Sequence, residues 1–285
     1  MPRSAPSARL VALAALSRRV FKPRLAATPG PLEARAEYDR VAPLLFPRPA
    51  GLLHLIDPPR PDGTPALHWL SCGSPAPRGV MLFLHGGAYI AGSPETHAGL
   101  IGYLAKAGGL RAAAPAYARA PEHPAPAAFD DAVAAHARLL ALGHAASDIV
   151  LAGDSAGGGL ALALLADLCR RDLRPAGLAV FSPWTDLALT GESLSRNAAA
   201  DPLLPVSRIA ELVGHIVGDL AGDDPRLSPL HAGFDAPPPV LIQVGRQEIL
   251  DHDPSRMADR LQAAGGAVCL HEWEGVLHAW QLAGP

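Results

Sequence analysis

The chain has 285 residues, 49 % of them hydrophobic, which is enough apolar material for one large domain or one domain with a lid. A formal net charge of −3, with only 18 % charged residues, excludes the basic footprint of a nucleic-acid-binding surface. Three widely spaced cysteines (Cys72, Cys169, Cys269) form neither a disulfide framework nor a zinc-ligand pattern, and the 12 histidines show no HExxH spacing; no metal or cofactor is expected, and a reducing, cytoplasmic setting is.

Before Glu33 stand six basic residues (Arg3, Arg9, Arg18, Arg19, Lys22, Arg24) and no acidic one. The apolar run Leu10–Leu16 is broken by Ser17-Arg18-Arg19, so it is too short to span a membrane. It also lacks the longer apolar centre and the small-residue cleavage site of a secretory signal. The segment reads as an amphipathic helix lying on the body of the protein.

Short apolar runs then alternate with helical patterns, the signature of an α/β fold with a mainly parallel sheet. Strands are expected at Ala66–Ser71, Val80–Leu84, Leu110–Ala114, Ile149–Ala152, Leu178–Phe181, Pro239–Val244 and Ala267–Glu272. A helix should start at "SPETH", with Ser93 as cap and Pro94 in the first helical position. Another runs through "FDDAVAAHARLLALG" and stops at Gly143, and a third opens with Asp253 as cap before Pro254 and ends at Gly265. Between about Leu187 and Pro238 the rhythm fails: one helix, Ser207–Leu220, sits among loops rich in Pro, Gly, Ser and Asp. So long an interruption suggests an insertion over a site. The expected division is therefore a core of residues 51–186 and 239–285 with a cap built from 1–50 and 187–238.

Gly153-Asp154-Ser155-Ala156-Gly157 fits G-x-S-x-G between a strand and a helix, where glycines permit a sharp turn that exposes the serine hydroxyl. Phosphate-cradling motifs, G-x-x-x-x-G-K-[ST] and G-x-G-x-x-G, are not matched. A serine hydroxyl is a poor nucleophile and needs a base, an acid to orient that base, and donors for an oxyanion. "FLHGGAYIAG" offers donors after a strand: Gly86, Gly87 and Ala88 are the candidates, joined by the amide of Ala156, while His85 reads as part of the wall. The candidate base is His278, just past the last expected strand. Glu248, Asp251 and Asp253 compete for the acid. Asp253 is accounted for as a helix cap, and Glu248 is favoured over Asp251 because it comes first after its strand, although spacing alone leaves both open. Asp154 and Asp186 read as structural braces.

The stretches "LFLHGGAYIAGSPETH", "YARAPEHPAPAAFDDA", "GDSAGGGLALAL", "SPWTDLALTGES" and "VGRQEILDHD…GVLHAW" resemble the bacterial hormone-sensitive-lipase family of esterases, the α/β-hydrolase fold-3 group, over roughly Gly79 to Trp280. The subgroup most similar includes ε-lactone hydrolases and small-ester carboxylesterases, which often use glutamate in an E-[IV]-L setting. The resemblance thus implies an α/β-hydrolase fold with a helical cap, Ser155 as nucleophile, Glu248 as acid and His278 as base. It further implies hydrolysis of short to medium acyl esters or lactones through an acyl-enzyme. Three departures stand out. Ala88 replaces a family glycine, Tyr117-Ala118-Arg119-Ala120-Pro121-Glu122 lacks the arginine that usually follows the tyrosine, and the chain ends seven residues after His278, where the family has a further helix. The expected partner is a small-molecule ester or lactone, without nucleic acid or a membrane span, and a homodimer is the assembly considered. The rival readings are an amidase or aryl-formamidase on the same fold, and a non-catalytic small-ligand receptor.

Overall fold

The computed structural model describes residues 6–76 and 78–284. Among the described residues, eight strands, β1 (Leu52–Asp57), β2 (Leu67–Cys72), β3 (Val80–Leu84), β4 (Arg111–Pro115), β5 (Ile149–Asp154), β6 (Gly177–Phe181), β7 (Val240–Gly245) and β8 (Val268–Trp273), form one sheet in the order β1-β2-β4-β3-β5-β6-β7-β8. The pairings β1·β2 and β2·β4 are antiparallel, and all the others are parallel. This is the doubly wound sheet of an α/β hydrolase. The seven expected strands appear as β2–β8 with ends shifted by a residue or two; β1, an edge strand, was not foreseen.

Side chains alternate across the central strands. Val80, Leu82 and Leu84 join one core cluster with Leu160 and Leu164, while Met81 and Phe83 face a second with Leu100 and Ile101. The helices that close these cores are α4 (Ala98–Gly108), α5 (Ala127–Ala141), α6 (Ser155–Arg170) and α9 (His252–Ala263). Two helix starts differ from expectation. Ser93 and Thr96 exchange hydrogen bonds within a turn (Thr96 N–H to Ser93 Oγ, 3.2 Å; Ser93 N–H to Thr96 Oγ1, 2.9 Å), so the capping chemistry is consumed before α4 begins at Ala98. Asp251, not Asp253, occupies the cap position of α9; the Asp253 carboxylate instead accepts the Thr185 N–H at 3.0 Å and an Arg256 N–H at 2.9 Å.

The N-terminal segment folds as α1 (Ala8–Leu16), a wide π turn at Ser17–Phe21, α2 (Lys22–Ala27) and α3 (Pro31–Leu45). In the later irregular section the described helices are a single turn, α7 (Ser193–Arg196), and α8 (Ile209–Ile216); α8 is shorter than expected at both ends, its first residues forming a 3₁₀ turn at Val206–Arg208 and its last giving way before Gly218, whose φ is +58°. Cationic side chains fasten the two segments together. Arg18 donates to the carbonyls of Ala199 and Ala200 (2.8 and 2.7 Å), Lys22 to those of Ala198 and Asp201 (2.8 and 2.7 Å), and Arg208 to that of Thr28 (2.6 Å). No described helix is long and apolar enough to cross a membrane.

Candidate active site

At the end of β5 the chain turns so sharply that Ser155 has φ +52°, a left-handed conformation that costs a non-glycine residue about 1–2 kcal/mol. The turn exists because α6 comes down directly on β3. A Cβ on Gly157 would lie 2.1 Å from the Leu84 carbonyl oxygen, and one on Gly153 would lie 2.4 Å from that of Gly157. Trp184 N–H then donates to the Ser155 carbonyl at 3.0 Å, fixing the elbow against the end of β6.

His278 stands in the loop after β8, with Nε2 2.8 Å from Ser155 Oγ. Its Nδ1 lies 2.6 Å from Glu248 Oε2. A carboxylate oxygen accepts, so Nδ1 carries the proton and Nε2 presents its lone pair to the serine. Glu248 is fully buried, and its other oxygen accepts the Gly245 N–H (2.6 Å) and the Ser182 hydroxyl (2.7 Å). Ser182 Oγ also accepts the N–H of Ala279 at 3.2 Å, tying the carboxylate to the residue beside the imidazole. Burial alone would push the His278 pKa down; the adjacent Glu248 charge and its hydrogen bond outweigh it, and the net shift is upward from 6.5.

The competing carboxylates are turned elsewhere. Asp251 pairs with Arg196 at 2.6 Å, and Asp253 is held by Thr185 and Arg256. Asp186 braces its own loop, accepting N–H bonds from Ala188 (3.1 Å) and Thr190 (3.0 Å).

Opposite the serine lies the loop after β3. Gly86 was expected among the anion donors, but its N–H already donates to Asp154 Oδ1 at 3.0 Å and is not free. The amides of Gly87 and Ala88 have no hydrogen-bond partner among the described residues. Ala156 lies in the first turn of α6, where amides have no partner within the helix, and Asp154, although at the cap position, makes no capping bond. Two backbone turns therefore present open donors beside Ser155. Gly87 has φ +119° and Ala88 φ +53°, so the family glycine replaced by Ala88 does occupy a left-handed position. His85 is indeed wall. It is buried, its ring stacks on Tyr117 with centroids 4.1 Å apart, burial holds its pKa well below 6.5, and the Tyr117 hydroxyl donates to its carbonyl at 2.5 Å. Arg119 secures the same loop by donating to the Gly92 carbonyl at 2.6 Å.

Above Ser155 and His278 opens a cavity of about 350 Å³, walled by apolar side chains of both irregular segments, including Leu13, Phe21, Leu204 and Leu212, and by Trp184 from below. Arg35 of α3 pins the roof to the floor, donating to the Ile90 and Ala120 carbonyls (2.6 and 2.7 Å) and to Glu122 (2.7 Å), whose carboxyl these hydrogen bonds pull down to about 2.

Sequence reasoning missed three residues around the acid. Ser182 carried a usable signal, since it directly follows β6 at the carboxyl end of the strands, where the other site residues gather. Asn197, whose side chain donates to the carbonyls of Arg246 (2.9 Å) and Glu248 (2.8 Å), and Asp201, which accepts the Ile249 N–H (2.8 Å), carried none.

Comparison with known proteins identifies the family. The model of a family described as alpha/beta hydrolase fold matches residues 81–282. The chain belongs to that family. Within it, this hydrolase stands among the hormone-sensitive-lipase esterases. A crystal structure of an esterase from the bacterial hormone-sensitive-lipase family superimposes with a TM-score of 0.89 at 34 % identity, covering 99 % of this chain and 93 % of that one. EstE5, solved after soaking with p-nitrophenyl butyrate, gives 0.88 at 30 % identity, with 97 % and 92 % covered. An acetyl-hydrolase of Streptomyces hygroscopicus is 41 % identical over 212 residues, covering 72 % of this chain and 69 % of its own. An esterase of Acinetobacter venetianus is 37 % identical over 205 residues, with 71 % and 68 % covered.

Proposed function

We propose that this hydrolase cleaves short to medium acyl esters or lactones through an acyl-enzyme on Ser155. The observation that carries the reading is the unbroken hydrogen-bond chain Ser155–His278–Glu248 at the base of an apolar cavity. In the proposed reaction His278 takes the Ser155 proton as the oxygen attacks the carbonyl carbon. Glu248 holds the imidazole tautomer and offsets the charge it acquires. The amides of Gly87, Ala88 and Ala156 receive the oxyanion, a contribution worth about 100- to 1000-fold per donor in a protease precedent. His278 returns the proton to the leaving alcohol, then draws one from the water that hydrolyses the acyl-enzyme. Residues 51–186 and 239–285 act as the catalytic core and 1–50 and 187–238 as the cap, of which residues 1–5, 77 and 285 lie outside the described residues.

Names of relatives support the substrate class, since they read acetyl-hydrolase and esterase. The decisive test is labelling with a serine-reactive phosphonate, run beside a panel of p-nitrophenyl esters of rising chain length and simple lactones. Labelling and turnover should both vanish in Ser155→Ala. An unlabelled wild-type protein that still binds ester would turn the reading into that of a receptor.

A further inference from the structure

The outward side of α1 is apolar where a surface helix is normally polar. At 3.6 residues per turn, Ala8, Val11, Ala12, Ala15 and Leu16 fall on one face, with Arg19 at its end. All six are exposed, and Val11 and Leu16 keep 52 % and 46 % of their surface open. The inward side, Leu10, Leu13 and Ala14 with the buried Ser17, is apolar too and packs toward the molecule. Apart from Arg9, which donates to the Ala283 carbonyl at 2.6 Å, α1 carries no charged side chain, and so apolar a helix is normally enclosed, by protein or by lipid. Here the protein encloses one side.

Charge indicates what covers the other. Residues 6–32 carry five cations, Arg9, Arg18, Arg19, Lys22 and Arg24, and no carboxylate. Arg18 and Lys22 donate to carbonyl oxygens, neutral acceptors that leave their charge in place. Arg19 and Arg24 are exposed and pair with no carboxylate among the described residues. A cover complementary to this surface is apolar in depth and anionic at its boundary, which describes an acidic lipid interface. The same segment also borders the cavity: Leu13, Phe21, Arg24 and Leu25 line the space that holds Ser155 and His278.

We propose that α1 and the basic turn after it seat the enzyme on an anionic lipid–water interface, with α1 lying in the plane of the surface. Its nine residues are far too few to cross a bilayer, so the attachment is interfacial and reversible. Esters dissolved in the lipid then reach the cavity along the inner side of the segment. Docking goes beyond the esterase reading and does not depend on it, whereas substrate entry rests on that reading.

The test is co-sedimentation of the full chain with phosphatidylcholine vesicles, with and without phosphatidylglycerol, using Ser155→Ala in parallel so that binding is read without turnover. Both proteins should bind the vesicles that contain phosphatidylglycerol and release in about 1 M salt, where the screening length falls to about 3 Å. Val11→Gln combined with Leu16→Gln should weaken binding by at least about tenfold, and Arg19→Gln by about fivefold. Neither change touches the cavity, so hydrolysis of soluble p-nitrophenyl butyrate should be unaltered, which reports folding and esterase activity separately. Absence of binding to the acidic vesicles overturns the proposal, as does binding indifferent to the Val11 and Leu16 changes. A dimer lost in that double variant, with no vesicle binding, also overturns it and assigns the face to a second copy.

Discussion

Below the cavity, the β5–α6 elbow rests on β3 through backbone contacts so close that no Cβ fits at Gly153 or Gly157. Above it, residues 6–50 are fastened to residues 198–208 by long cationic side chains reaching carbonyl oxygens. The first arrangement has one geometry, because moving any part of it opens a void or forces a clash. The second rests on part-exposed hydrogen bonds from charged donors, at most about 1.5–3 kcal/mol each, and breaking them leaves the hydrogen bonds of the sheet untouched. The proposed bond-breaking groups thus sit on the rigid side, and the cavity above them is walled from the loose side.

Predictions sharpen this contrast in descending order of effect. Replacing Glu248 with Gln should lower kcat about 10⁴-fold, as the equivalent acid-to-amide change does in a serine protease, while Asp251→Asn should stay within about threefold. The reverse ranking in steady-state hydrolysis of p-nitrophenyl butyrate would remove Glu248 from the proposed triad.

The pH profile follows from the raised His278 pKa. The imidazole must be neutral to act as base, so kcat/KM should fall with decreasing pH through a midpoint above 6.5. Glu248→Gln deletes the largest raising interactions and leaves burial, which lowers the pKa, opposed only by the weaker effects of Asp201 and Asp154, so the residual activity of that variant should titrate at lower pH than wild type. An acid limb that does not move would show that the carboxylate and imidazole are uncoupled.

On the loose side, Arg18→Ala combined with Lys22→Ala removes the four hydrogen bonds to residues 198–201. We expect KM to rise roughly three- to tenfold with kcat changed less than about threefold, since those bonds hold a wall and touch no reacting group. A kcat loss exceeding the KM rise would mean that the latch also positions Glu248 through Asn197 and Asp201. The smallest effect belongs to Ala88→Gly. Relief of the left-handed strain, about 1–2 kcal/mol, is partly offset by the looser unfolded chain, about 0.4–1 kcal/mol, leaving a Tm gain of about 1–3 °C by calorimetry. A lower Tm would contradict the +53° φ of that residue.

The same contrast explains what the sequence made legible. The elbow could be read because its geometry demands particular residues at fixed spacing, and the strands around it are apolar runs enclosed on both faces. β1 escaped notice because it is an edge strand with Leu53, Leu55 and Ile56 exposed, and its pairing with β2 defines it more than its own pattern does. The start of α4 was misplaced because Ser93 and Thr96 form a turn with the groups that suggested a cap. Gly86 was misjudged because nothing local indicates that Asp154, 68 residues away, takes its amide. Asn197 and Asp201 reach Glu248 and its neighbour from a segment with no periodic pattern, so only the folded chain reveals them.

Asp154 turns its back on the helix it precedes and grips the loop across the gap instead. The leading amides of α6 consequently keep no side-chain cap, and the loop after β3 and the elbow, the two halves of the proposed anion cradle, are clasped into one piece. In the proposed reaction, negative charge building on an ester oxygen would meet dipoles that need not swing round, because that ordering was completed while the chain folded.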